Sequence, residues 1–139
     1  MLEEVSPVED KGEEGINHIS NTDGQPLVFV TVDSINRPVE LKISTWEIHV
    51  IDGDNLRPEF KGQEELIKNI ISDPGVIVPD PMENRERYYD LVYNSTSGKI
   101  KTVMIVVDHS TVPGDVVTIM SKSTVKESDE RGVIYVRSK

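Results

Sequence analysis

The sequence predicts an α+β fold: a mainly antiparallel sheet of four or more strands against one amphipathic helix, with an N-terminal hairpin and an acidic arm. Three observations lead to this class. β-branched runs recur along the chain with short turn sequences between them, and strands joined by short turns pair antiparallel. One segment alone carries a strong helical stripe. The first 24 residues carry neither pattern.

Residues 1–24 are polar and aperiodic, with Pro7, Gly12, Gly15 and Gly24. Six acids (Glu3, Glu4, Glu9, Asp10, Glu13, Glu14) stand against the single base Lys11 within residues 1–15. So little apolar area does not offset the entropy of ordering the chain, and the segment reads as a flexible arm. It is either a solubilising tail or an acidic strip that covers a basic site or docks on a partner. Residues 25–139 then form one α+β domain, and roughly 110 residues suffice for a core without covalent or metal staples.

Leu27–Val32 is a β-branched strand run, Asp33–Pro38 a turn, and Val39–Ile43 alternates apolar and charged residues as a half-buried strand does. Ser44 and Thr45 are positioned to cap a short helix or turn through Trp46–Ile51, which Asp52-Gly53-Asp54-Asn55 breaks. The principal helix is Gly62–Ile71. Leu66, Ile67, Ile70 and Ile71 form its stripe, Glu64 and Glu65 sit in its first turn, and Ser72-Asp73-Pro74-Gly75 ends it. Strands are expected at Val76–Val78, Tyr88–Tyr93, Thr102–Val107 and Val116–Met120, with a last edge strand at Val133–Val136. Asn94–Gly98 reads as a hairpin loop, and Val112-Pro113-Gly114-Asp115 as a turn.

Composition excludes several functions. The 139 residues contain no cysteine, so disulfides, thiolate metal sites and cysteine nucleophiles are out, as is a disulfide-linked partner. A cysteine-free chain fits a reducing compartment. No apolar run approaches the roughly 20 residues that span a bilayer. The N-terminus, MLEEVSPVEDKGEEG, lacks the basic start and apolar stretch of a secretory signal. A soluble cytoplasmic domain is expected. The net charge of −10 argues against non-specific binding to DNA or acidic membranes. Near the C-terminus, Lys122, Lys126, Arg131, Arg137 and Lys139 outnumber Glu127, Asp129 and Glu130, which allows a local basic surface.

Several motifs fail on inspection. Asp52-Gly53-Asp54-Asn55 begins like a calcium loop, but Leu56, Arg57 and Gln63 occupy positions 5, 6 and 12. His18, His49 and His109 lack zinc-ligand spacing, and no metal or cofactor is expected. There is no phosphate-binding glycine loop and no nucleophile elbow.

Three clusters remain. Trp46-x-x-His49 followed by Arg57-Pro58-Glu59 gathers a group that titrates near neutrality and a carboxylate able to orient it. The same residues also read as a core tryptophan, a hydrogen-bonded histidine and a solvated loop. Arg85-Glu86-Arg87-Tyr88-Tyr89 sets guanidiniums for phosphate beside phenols for stacking or proton transfer, or is ordinary strand alternation. Thr118, Ser121 and Lys122 close a strand with hydroxyls and an ammonium, as a phosphate site or a polar strand exit.

In order, these pieces run: hairpin, W-x-x-H, Pro-Glu, Ile-rich helix, S-D-P-G-V-I, Arg/Tyr strand, K-T-V-M-I-V-V, then G-D-V-V-T-I-M. Over Thr45 to Ser123 this resembles the phage-associated members of the barnase–EndoU–colicin–RelE-like nuclease group. The family's His-Pro-Glu stands here as Arg57-Pro58-Glu59, the loop from His49 to Pro58 is long, and the chain is acidic where toxin RNases are usually basic. The resemblance implies a helix packed on a four-stranded antiparallel sheet, with the site on the sheet's open face. It implies metal-independent RNA cleavage by attack of the ribose 2′-OH on the adjacent phosphate. It assigns His49, Glu59, Arg87, Tyr89 and Thr118 to catalysis, and Arg57, Arg85, Tyr88, Ser121 and Lys122 to substrate binding. The charge favours a different expectation: a non-catalytic acidic module, immunity-like or a phage accessory or structural protein, with a protein partner in place of RNA.

Overall fold

The computed structural model describes residues 19–20, 23–47, 60–94, 98–122 and 133–137 and, for Asn94 and Lys122, the backbone alone. Strand β1 (Leu27–Val32) turns into β2 (Pro38–Lys42). Helix α1 (Glu64–Ser72) follows, then β3 (Val76–Pro79), β4 (Arg85–Asn94), β5 (Lys99–Asp108), β6 (Gly114–Lys122) and the short β7 (Tyr135–Val136). The strands form one seven-stranded sheet in the order β1-β2-β6-β5-β4-β3-β7.

The α+β class and the predominance of antiparallel pairing agree with the sequence, but the sheet is larger and it is mixed. β2 and β6 run parallel, through only two register pairs, Val39↔Gly114 and Glu40↔Asp115. Short turns dictate antiparallel neighbours only between consecutive strands. β2 and β6 are separated in sequence by α1, β3, β4 and β5, so no turn fixes their direction. The sheet centre is the β4–β5 ladder, ten pairs from Arg85↔Asp108 to Asn94↔Lys99.

Period-two alternation sorts side chains onto two faces. On one, α1 buries Ile67, Ile70 and Ile71 against Phe29, Leu41, Ile77, Tyr88, Ile105 and Ile119. Trp46 and Phe60 are buried in the same cluster, so Trp46 is a core anchor. On the other face Val78, Tyr89, Met104 and Val106 form a second buried cluster. The register reveals one cross-strand row on this second face, running Val30, Glu40, Asp115, Asp108, Arg85 across five strands.

Among the described residues, β4 and β5 run on past their outer neighbours. β3 stops pairing at Val76↔Tyr89 and β6 at Thr102↔Lys122. The projecting hairpin exposes Leu91, Tyr93 and Ile100. Most of the expected arm lies outside the described residues, but Ser20 is buried and Ile19 bridges to Pro26, so the segment before β1 lies on the sheet.

Ile105 is fully buried on the central strand β5. Ile105→Ala should cost about 2–5 kcal/mol. Urea unfolding should show it as a lowered midpoint with an unchanged slope.

Candidate functional site

One end of the sheet gathers the β1–β2 turn, the start of β4 and the exit of β5. Here the most connected polar cluster of the described residues forms around Tyr88. The Tyr88 hydroxyl donates to Asp33 Oδ2 at 2.6 Å, since a carboxylate oxygen can only accept. The phenol oxygen then accepts from Arg37 Nη2 at 3.2 Å and from His109 Nε2 at 2.9 Å. This bookkeeping places the neutral imidazole's proton on Nε2. Arg37 also grips Glu86 through two contacts, Nη1–Oε2 at 3.0 Å and Nη2–Oε1 at 2.6 Å. Asp33 closes its own turn by accepting from the backbone N–H groups of Ile35 and Arg37.

Local sequence explains the placement. An Asp opening a turn satisfies backbone donors two to four residues on, as Asp33 does. Asn36 takes the positive φ of 68° that this tight turn requires. His109 lies against Gly114, where a Cβ would come within 2.8 Å of Nδ1. Any side chain at Gly114 would displace the imidazole.

The cluster's protonation states follow from its surroundings. Burial opposes the charge of Asp33, but the Tyr88 hydroxyl, the Arg37 N–H and the Arg37 charge hold its carboxyl below the usual carboxylate range. Burial, then the Asp33 hydrogen bond and charge, push the Tyr88 phenol well above its ordinary value. Burial, followed by the Arg37 charge, holds the His109 imidazole below its ordinary value despite Glu86, Asp33 and Asp108. The phenol is thus held protonated between the Asp33 carboxylate and the His109 imidazole. The arrangement clamps the β1–β2 turn onto β4 and the β5–β6 connection.

The expected site residues divide three ways. His49, Arg57 and Glu59 lie outside the described residues. Arg85, Arg87, Tyr89 and Thr118 share the sheet face opposite α1, and the register sets Arg87, Val106 and Thr118 in one row. Lys122, described by backbone alone, takes a register position on that face, opposite Thr102. Tyr88 and Ser121 belong to the α1 face, Ser121 standing opposite Val103. Tyr88 and Tyr89, neighbours in sequence, therefore stand on opposite faces of the sheet.

Of the two expected phosphate clamps, Arg87 is engaged by a carboxylate, whereas Arg85 Nε is buried without a hydrogen-bond partner. Arg87 Nε meets Asp80 Oδ1 at 2.7 Å, and Arg85 Nε lies 3.7 Å from Asp108 Oδ2. No group of three or more His, Cys, Asp or Glu among the described residues is arranged to hold a metal ion. No described helix is long and apolar enough to cross a membrane. Asp33, Arg37, Glu86 and His109 were not expected as a group. The turn expected at Asp33–Pro38, and the place of His109 two residues after the strand expected at Thr102–Val107, are the signals the sequence carries for them.

At one lateral edge of the sheet, β1 pairs with β2 alone among the described residues. Asp33 N–H bonds to Arg37 C=O, so hydrogen-bonded pairs alternate from there, at Thr31↔Val39 and Phe29↔Leu41. The N–H and C=O groups of Val30 and Val32 consequently point away from β2, along an edge where these residues are 41% and 50% exposed. A groove of about 160 Å³ follows this edge, lined by Val28, Phe29 and Val30 from β1 and Glu64, Glu65 and Lys68 from α1.

Comparison with known proteins gave no family model, no curated protein and no solved structure that matches the chain.

Tyr88→Phe leaves a buried carboxylate and an imidazole N–H short of a partner, and should cost about 1–3 kcal/mol in chemical denaturation. For His109 the folded value lies below the unfolded one. Its contribution is therefore present above about pH 6.5 and lost as pH falls through the folded value. Thermal melts from about pH 7.5 to 5 should fall for the native chain and fall less for His109→Gln.

Proposed function

We propose that the chain is an acidic, non-catalytic protein-binding module of the immunity-like or accessory kind, acting in the cytoplasm. It captures an extended segment of a basic partner along β1. The observation that carries this reading is the β1 edge itself: outward backbone donors and acceptors beside a groove walled by α1. Strand addition uses those two features, main-chain bonds for affinity and a flanking pocket for selectivity. β1 reads LVFVTV, with neither proline nor lysine to block pairing. Glu64 and Glu65 against Lys68 leave the groove wall net acidic, and the net charge of −10 would steer a basic partner toward the protein. Arg87, held by Asp80, further favours protein over RNA.

A second reading remains because Arg87, Tyr89 and Thr118 share one face: a metal-independent RNase-like domain of phage, toxin or mobile-element type. His49 and Glu59 would supply its acid–base pair, and Arg57 and Lys122 would hold phosphate.

Val30→Pro separates the two. Its ring removes an N–H that the β1–β2 ladder does not use, so the fold should survive while strand addition fails. Photo-crosslinking from position 32 should trap a basic partner segment with the native chain and lose it with Val30→Pro. RNA incubated with either protein in EDTA should stay intact. Cleavage that disappears in His49→Ala and Arg87→Ala would transfer the assignment to the RNase.

A further inference from the structure

Glu40 is 1% exposed on the face opposite α1, directly in register with Asp115 across the parallel β2–β6 seam. A buried carboxylate normally has every oxygen hydrogen-bonded. Glu40 Oε2 has such a partner, Ser20 Oγ at 2.6 Å. Asp115 Oδ2 faces Lys42 Nζ at 3.6 Å. The remaining oxygens, Glu40 Oε1 and Asp115 Oδ1, are both buried and both without a hydrogen-bond partner. Two orphan acceptors on register-paired residues have a common remedy, a proton between them.

We propose that Glu40 and Asp115 share one proton, forming an O–H···O⁻ hydrogen bond that latches the β1–β2 hairpin to the rest of the sheet. The seam has only two register pairs, and this is one of them. When the proton leaves for solvent, two adjacent carboxylates repel across the seam. On β2, Lys42 lies 3.6 Å from Asp115 but sits closer to Asp23, at 2.6 Å, in the segment before β1. On β5, Asp108 stands in register with Asp115 and is itself paired with Arg85 of β4. One lysine divided between two aspartates does not neutralise Asp115, Glu40 and Asp23 together. In agreement, burial foremost, with the Glu40 and Asp23 charges adding and Lys42 opposing, raises the Asp115 carboxyl above its ordinary value.

The sign follows. A carboxyl whose folded value is raised contributes stability that is complete below its unfolded value and lost as pH rises through the folded one. The latch therefore loosens as pH rises, opposite to the direction set by His109. This inference is independent of the partner proposed for β1.

Carbon-13 NMR of the full chain, following the Glu40 and Asp115 carboxyl carbons against pH, tests it. The two resonances should move together in coupled steps, with the Asp115 carbon titrating above the ordinary carboxylate range. In the near-isosteric Asp115→Asn, Glu40 should titrate in a single step. The loss of thermal stability above that step should also flatten relative to the native chain. Independent titration of the two carbons in the ordinary range would overturn the proposal, and the native measurement needs no variant to fold. An unchanged pH dependence of melting in Asp115→Asn would overturn it equally.

Discussion

A phenol oxygen buried in a sheet must find partners or give up its hydration for nothing, and Tyr88 finds three. It donates to Asp33 and accepts from Arg37 and His109, thereby joining the β1–β2 turn, β4 and the exit of β5. Each partner is held by something else: Asp33 by its own turn, Arg37 by Glu86, His109 by the space that Gly114 leaves. Removing any member strands the others in a poorly solvated place. The registry of the β1–β2 hairpin against the sheet centre depends on this cluster, because the direct β2–β6 backbone pairing is so short.

Much of the fold was legible because burial imposes periods on the sequence. Leu27–Val32 forms the strand that its β-branched run predicts, and α1 starts two residues inside the expected helix. The errors have physical causes. β4 begins at Arg85, not Tyr88, because Glu86 and Arg87 occupy strand positions as ion-paired side chains that no apolar pattern marks. The last strand shrinks to Tyr135–Val136. The parallel seam was illegible because alternation reports a residue's face, never the identity of its neighbour strand.

The candidate sites were less legible for the same reason. Tyr88 stands between Arg87 and Tyr89 in sequence, and adjacency in a strand sends it to the other face of the sheet. Tyr88's true associates come from turns far along the chain, a relation that only tertiary structure creates. Charge composition misled in a further way. Bases scattered through an acidic chain suggest anion sites, yet Arg37, Arg85, Arg87 and Arg137 each face a carboxylate in the fold.

The two-pair β2–β6 seam also bears on how the chain folds. The β1–β2 hairpin closes across a five-residue turn and so forms through local contacts. Val39 meets Gly114, and Glu40 meets Asp115, only after α1, β3, β4 and β5 have brought β6 into position. The chain entropy spent on that closure is repaid late, when the intervening elements have already condensed. The hairpin then behaves as a separate cooperative unit: quick to form, last to dock and first to detach. Its amides should accordingly exchange through a smaller opening than those of the β4–β5 ladder.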